Sequence, residues 1–197
     1  HGVHRRQRQM CIRDRLKGVD FDLYAKECVA LLGENGAGKS TLIKVLGGAL
    51  QPEEGTIEVD GQERRFAEPL GSLDAGVAVI YQEFNLVPGL SAAENVFLGI
   101  EPSNFGWVRR SEQTIRARET FHRIGAKIDP NELCERLTVA EKQMVEIAKA
   151  LVREAKILVM DEPSAALTKK EVEQLYLLVD DLGCLLYTSD AADDVHR

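Results

Sequence analysis

The sequence predicts an α/β fold with a mostly parallel sheet, a small antiparallel β part and a helical subdomain. Three observations support this prediction. A glycine-rich segment at residues 33–40 stands between an apolar run and a helical pattern. Strand-like and helix-like stretches alternate on both sides of residues 83–154, where the helical period dominates. A second apolar run, at residues 157–160, ends in two acidic residues.

The strands are predicted from short apolar runs and from period-2 alternation between turn residues. The run at 28–33 and the run at 77–81 are apolar enough for buried parallel strands. Residues 56–61 alternate and follow a Pro-Glu-Glu-Gly turn, which indicates a half-exposed strand. In chain order, we expect strands at 18–22, 28–33, 56–61, 77–81 and 156–161.

The helices are predicted from apolar spacing and from capping residues. A helix should begin near Lys39 and end near residues 47–48, which are both glycine. Capping boxes are predicted at Ser91 with Glu94 and at Thr138 with Glu141. Ser111 is predicted to cap a helix that runs to Gly125. Thr168 with Glu171 is predicted to cap a last helix that ends near Leu182.

The glycine-rich segment fits G-x-x-x-x-G-K-[ST], the pattern of a phosphate-binding loop. Its glycines let the backbone turn and present N–H groups to anionic oxygens, and the following helix adds the positive end of its dipole. Lys39 would reach the β- and γ-phosphates, and the Ser40 hydroxyl would bind Mg²⁺. The alternative is a chance glycine-rich turn. The predicted nucleotide-binding residues are Gly33, Asn35, Gly36, Ala37, Gly38, Lys39, Ser40 and Thr41.

Asp161 and Glu162 follow an apolar strand, at the end where open α/β sheets bind ligands. Asp161 is expected to hold Mg²⁺ through its water shell, and Glu162 to act as the general base for the attacking water. The alternative is an acidic strand end that caps the next turn.

Composition narrows the function classes. The 197 residues are 44% hydrophobic and 29% charged, as in an ordinary globular protein. The net charge of −7 argues against a general nucleic-acid binder. The four cysteines lack paired spacing, so neither a disulfide framework nor a cysteine metal site is indicated. No apolar stretch approaches the length of a membrane span, and the basic first residues lack the core of a signal peptide.

The two ends of the chain differ from the sequence between them. Residues 1–15 hold five arginines without an apolar period, and residues 183–197 end in an acidic, alanine-containing run. Both resemble translated sequencing-adapter read-through, with natural disordered tails as the alternative. We therefore expect a partial domain at residues 16–182, cut at both ends, with foreign or disordered tails on either side.

Over residues 16–182 the sequence resembles the ATP-binding subunits of ABC transporters, which have a P-loop NTPase core. Five family motifs occur in order. The resemblance implies ATP and Mg²⁺ as cofactors, and catalytic roles for Glu162, Lys39 and Gln82. The motifs are the phosphate loop, Gln82 as the Q-loop glutamine that senses Mg²⁺ and γ-phosphate, the signature at Thr138, Val139, Ala140 and Glu141, the Walker B strand that ends in Asp161 and Glu162, and a D-loop at residues 165–168.

The signature departs from the usual family pattern, because Val139 and Ala140 stand where the family has two glycines. Residues 143–151 and 163–168 resemble the first half of tandem sugar-importer ATPases of the ribose, galactose or xylose type. This resemblance implies a second ATPase half in the same polypeptide, a transmembrane permease that Gln82 would approach, and an external sugar-binding protein. It also implies a peripheral location at the cytoplasmic face of the bacterial inner membrane, and no nucleic-acid partner.

Three other functions stay open at this point. One is a soluble, non-transport ABC ATPase of DNA repair or translation, one is a nucleotide-binding regulatory module without turnover, and one is a P-loop kinase. The sequence does not name the sugar. Two family elements are also missing: an adenine-stacking aromatic, expected upstream of Leu16, and a switch histidine, for which His196 is no substitute.

The missing switch histidine leads to a prediction about the sheet. In the family, the strand that carries this histidine lies between the phosphate-loop strand and the Walker B strand. The apolar run at residues 184–188 is able to enter that position, which would bring Asp190 near the place of the histidine. The alternative is an unfilled gap with two unpaired strand edges. Either way, we expect the segment by itself not to turn over ATP.

Overall fold

A computed structural model describes residues 18–34, 36–104, 106–161 and 184–189, the last range by its backbone. Its centre is a parallel sheet of four strands in the order β1-β8-β7-β4. These strands are β1 (Cys28–Leu32), β4 (Val77–Ile80), β7 (Ile157–Met160) and β8 (Cys184–Ser189). The α/β class and the parallel sheet are confirmed.

Strand β8 occupies the position between β1 and β7. It pairs in parallel with β1 from Cys28↔Leu185 to Leu32↔Ser189, and with β7 from Ile157↔Cys184 to Met160↔Tyr187. The first of the two alternatives for this run, entry into the sheet, is therefore confirmed for the backbone. Asp190 lies outside the described residues, and the foreign origin of residues 183–197 stays a prediction.

The two faces of the sheet pack against different helices, because successive side chains of a strand point to opposite sides. On one face, Ala78 and Ile80 of β4 join Leu158 and Met160 of β7 in a core with the helical part of the molecule. On the other face, the neighbouring residues of the same strands pack against α1 (Lys39–Leu46), which contributes the fully buried Ile43. Helix α1 and the helical part thus lie on opposite faces.

The helical part contains α3 (Ala92–Val96), α4 (Arg110–Arg123) and α5 (Val139–Val152), which pack on one another through small and aromatic side chains. Both predicted capping boxes are present, with Ser91 capping α3 and Thr138 capping α5. Among the helices within the described ranges, none combines the length and the apolar content needed to cross a membrane.

The smaller elements frame this core. An antiparallel pair, β2 (Ile57–Val59) and β3 (Gln62–Arg64), forms the predicted small antiparallel part. Helix α2 (Pro69–Asp74) follows and leads into β4. A second hairpin, β5 (Ser103–Asn104) with β6 (Trp107–Val108), lies within the stretch that the sequence predicted as mostly helical.

Two sequence-based predictions are wrong in detail. Residues 18–22 form no strand, although Phe21 packs against the core. A strand needs hydrogen-bonding partners as well as alternation, and within the described ranges no other strand pairs with this segment. Ser111 does not cap α4, because the helix begins at Arg110 and its first turn closes on the carbonyl oxygen of Arg109. The helix predicted at 168–182 lies outside the described residues.

Replacing Ser91 with alanine should lower the free energy of unfolding by about 1 kcal/mol. The Ser91 Oγ accepts the N–H of Glu94 at 3.2 Å, so the substitution leaves a helix donor without its cap. Ser111→Ala is the matched control, since Ser111 is exposed in the first turn of α4, and the change there should stay within about 0.5 kcal/mol. Urea unfolding of the two variants checks this, and equal losses would contradict the cap assignment.

The same capping box predicts a pH dependence. The Ser91 N–H, which donates to Glu94 Oε2 at 2.9 Å, lowers the pKa of Glu94 below its ordinary value of 4.5. Ionised Glu94 therefore stabilises the folded state above that ordinary value, and this contribution is lost as the pH falls through the lowered pKa. The stability difference between the wild type and Glu94→Gln should shrink on acidification. A difference that stays constant from pH 7 to pH 3 would contradict this.

Candidate phosphate-binding site

The predicted phosphate loop connects β1 to α1, as the motif requires. Gly36 has φ +90° and Gly38 has φ +100°, in the left-handed region that favours glycine. Gly38 is also the N-cap of α1 and offers no side chain to the first helical N–H groups. This helix start presents backbone N–H groups at the positive end of the helix dipole, where they can meet an anion.

Lys39 lies across the mouth of this loop. Its Nζ donates to the carbonyl oxygen of Gly33 and, at 3.3 Å, to that of Glu34. The side chain is half-buried, and the ammonium has three N–H donors in a compact charge. The cation is therefore held over the loop that would surround a phosphate. Ser40 follows in the first turn of α1 and is exposed.

The sheet brings Asp161 and Gln82 to the same edge as the loop. Ala30, Tyr187, Met160 and Ile80 are paired in register across the four strands. Since all four strands are parallel, their carboxyl ends lie at the same edge of the sheet, with adjacent strands about 4.8 Å apart. Asp161 comes one residue after this row and Gln82 comes two residues after it, while the loop begins three residues after it.

Asp161 is anchored by its backbone and lies beside a phenol. Its N–H donates to the carbonyl oxygen of Ile80 at 2.9 Å, which holds the start of the acidic segment against β4. Burial raises the pKa of Tyr81, and the carboxylate of Asp161 raises it further. The phenol therefore stays protonated beside the carboxylate.

The donors at this edge suit a hard divalent cation. The Ser40 hydroxyl, the Gln82 side-chain amide and the Asp161 carboxylate supply oxygen atoms, the ligand type that Mg²⁺ prefers. Within the described part of the chain, no three His, Cys, Asp or Glu side chains form a ready-made metal cage. A magnesium ion here would therefore take its remaining ligands from water and from bound phosphates.

The signature residues Thr138–Glu141 lie on a different part of the molecule. They begin α5, where Glu141 Oε2 accepts the backbone N–H and the hydroxyl of Thr138, both at 2.8 Å. Val139, which stands in place of a family glycine, is 54% exposed. Because α5 and α1 pack on opposite faces of the sheet, the structure does not bring the signature together with the phosphate loop of the same chain.

The predicted site residues Asn35 and Glu162 and the predicted D-loop at residues 165–168 lie outside the described ranges. Sequence reasoning in turn missed two buried polar residues, Asn95 and Glu146, which bind the segment that follows Gln82. Burial raises the pKa of Glu146, while the charge of Lys149 and a backbone hydrogen bond oppose the shift. In the sequence, Glu146 interrupts an apolar run between Val145 and Ile147. A carboxylate in that position was the signal that would have identified it.

Comparison with known proteins identifies the family. The family described as ABC transporter matches residues 16–165, most of the chain. The chain belongs to the ABC transporter family. Its resemblance to the ATP-binding subunits of these transporters, inferred from the five motifs, is thereby confirmed.

Several ABC sugar-import proteins are close in sequence. The arabinose import ATP-binding protein AraG 1 of Burkholderia lata is 47% identical over 186 residues, which are 92% of this chain and 37% of that protein. AraG of Paraburkholderia xenovorans is 44% identical, with 92% of this chain and 36% of that protein covered. The chain therefore spans little more than a third of the length of these curated relatives.

Solved ABC structures share the fold. CbiO1 from Clostridium perfringens, part of the ABC transporter complex cbiONQ, gives a TM-score of 0.74 at 27% identity, covering 92% of this chain and 74% of that chain. The ATP-binding cassette MJ0796, a dimer bound to ADP and Pi, gives a TM-score of 0.73 at 27% identity, covering 89% of this chain and 79% of that chain. The P-loop NTPase fold of an ABC ATPase is therefore shown.

In the full-length protein that carries this segment, Lys39→Ala should lose most of the ATP affinity of this site. The substitution removes the only side-chain cation that this loop offers to the β- and γ-phosphates, a loss of roughly 10- to 100-fold for a charge-assisted contact. Lys44→Ala is the matched control, because Lys44 is exposed in the last turn of the same helix. Calorimetry measures both affinities, and an unchanged affinity in Lys39→Ala would refute the phosphate-loop assignment.

Proposed function

We propose that this chain is the first ATPase half of a tandem ABC sugar importer, which binds and hydrolyses ATP to power import through a membrane permease. One observation carries the proposal. A phosphate-binding loop, with Lys39 held across its mouth, opens at the same sheet edge as Asp161 and Gln82. The sugar-import relatives supply the transport class, with arabinose as the first candidate substrate.

Nucleotide binding follows from the loop. The Lys39 ammonium exchanges the carbonyl oxygens of Gly33 and Glu34 for the β- and γ-phosphate oxygens, so it is already near the place where it acts. The first-turn N–H groups of α1 and the backbone of the loop surround the phosphates. An ammonium binds an anionic phosphate oxygen more strongly than an uncharged carbonyl oxygen, and this difference favours the bound state.

Three side chains at this sheet edge would hold magnesium. Ser40 and Gln82 would offer it oxygen atoms, and Asp161 would hold it through its water shell. The bound ion supplies charge neutralisation for the phosphates that transfer.

Hydrolysis requires a general base and a second ATPase half. Glu162, the residue after Asp161, would take the proton of the attacking water. The signature Thr138–Glu141 lies on the face of the sheet opposite α1, so it would serve the nucleotide of a facing half and not its own. The second ATPase half would come from the remainder of a polypeptide as long as the AraG relatives.

The transport assignment is tested with the full-length protein and its permease, reconstituted together in proteoliposomes. We expect the two to co-purify, and we expect uptake of a labelled pentose to require Mg-ATP on the side of the ATPase. Mg-ATP hydrolysis without permease binding would indicate a soluble ABC ATPase of DNA repair or translation instead. ATP binding with neither hydrolysis nor uptake would indicate a regulatory module, and phosphate transfer to another substrate would indicate a kinase.

In the same system, Glu162→Gln should keep ATP binding but slow hydrolysis at this site. A correctly placed general base contributes roughly 10²- to 10⁴-fold, and glutamine has no free carboxylate to take the proton. Single-turnover hydrolysis measures the effect, with Glu119→Gln on the exposed surface of α4 as the control. Unchanged hydrolysis in Glu162→Gln would mean that Glu162 is structural.

A further inference from the structure

The segment after Gln82 is fixed to the helical part by its backbone. Within the described ranges, this segment, residues 83–90, pairs with no strand, so its peptide groups need other hydrogen bonds. Asn95, fully buried on α3, holds both polar groups of Val87, accepting the N–H at 2.7 Å and donating to the carbonyl oxygen at 3.0 Å. The far half of the segment is thereby anchored to α3.

The near half is anchored to α5 by a pair of opposite charges. Glu146 Oε1 accepts the N–H of Asn85 at 2.8 Å, and Lys149 Nζ donates to the carbonyl oxygen of the same residue at 3.2 Å. The two side chains lie one turn apart on one face of the helix. Glu146 is 7% exposed, between two fully buried apolar neighbours. A buried carboxylate is costly unless it is used in this way, so the contact with Asn85 accounts for its presence.

This contact joins two functional segments through one short path. Asn85 is three residues from Gln82, so the chain between them spans at most about 10 Å. Glu146 lies eight residues after Thr138, about 12 Å along the same helix. Gln82 is thus tied to the helix that begins with the signature, while its own strand, β4, belongs to the sheet that carries the phosphate loop.

We propose that Glu146 and Lys149 are positioning residues that set the place of Gln82 relative to the signature helix α5, by holding the backbone of Asn85 from both sides. The proposal rests on the proposed function, because Gln82 matters only if the site binds and hydrolyses ATP. Neither residue is among the predicted nucleotide-binding residues. They act through Asn85, so their loss changes the turnover step more than the affinity.

The first test is kinetic and uses the full-length protein. Glu146→Leu removes the acceptor for the Asn85 N–H, and Lys149→Met removes the donor to its carbonyl oxygen. Each should lower kcat roughly tenfold, the effect of one charge-assisted hydrogen bond, with the KM for ATP within about twofold. Glu146→Gln keeps a side-chain oxygen, and Lys149→Arg keeps a cationic donor, so both should restore most of kcat. Glu119→Leu on the exposed surface of α4 is the control.

The second test adds a structural measurement to the kinetic one. Amide hydrogen exchange at single-residue resolution should speed up at Asn85 in Glu146→Leu, and it should stay unchanged at Val87, which Asn95 holds. Faster exchange at Asn85 with an unchanged kcat would overturn the proposal, because the contact would then be structural. Unchanged exchange at Asn85 would overturn it as well.

A failure of the proposed function is distinguishable from a failure of this inference. If the wild type binds ATP without turnover, the proposed function fails, and the exchange experiment is repeated with and without Mg-ATP. Protection of residues 82–85 by Mg-ATP in the wild type, lost in Glu146→Leu, would still support the positioning role. Equal protection in both proteins would overturn it.

Discussion

The backbone hydrogen bonds of β8 hold the candidate site together. This strand pairs with β1 on one side and with β7 on the other, so the strand that carries the phosphate loop belongs to the same sheet as Asp161. Without these two ladders, β1 would have no link to β7 and β4 within the described sheet. The predicted magnesium ligands would then share no fixed edge. The chemistry of the site therefore depends on a strand that contributes none of its predicted ligands.

The sheet joins the predicted magnesium ligands, and it also separates the predicted phosphate loop from the predicted signature. Helix α1, with the phosphate loop at its start, packs on one face, and α5, with the signature at its start, packs on the other. Both helix starts offer N–H groups, but glycine precedes α1 while a capping box satisfies α5. Under the proposed function, a ligand that meets both would therefore bridge two ATPase halves.

The segment from Gln82 to Leu90 connects these two faces. It leaves β4 at the edge of the site and is then held by α3 and α5 through hydrogen bonds to Val87 and Asn85. Buried polar groups such as Asn95 and Glu146 stabilise a structure when their hydrogen bonds are complete, and they fix a single arrangement of the chain. A rigid link of this kind makes the position of Gln82 sensitive to the position of α5.

The sequence by itself determined the place of the glycine-rich loop between β1 and α1, the start of α1, both capping boxes and the runs that form β1, β4 and β7, because each depends on local spacing and on local hydrogen bonds. Ser111 shows the limit of local reasoning, since α4 begins right after the preceding hairpin, two residues earlier than a Ser111 cap would place it. Only the tertiary structure decided that β8 lies between β1 and β7, and that Glu146 and Lys149 hold Asn85. Those contacts join residues far apart in the chain, and their geometry exists only once the sheet and the helices have packed.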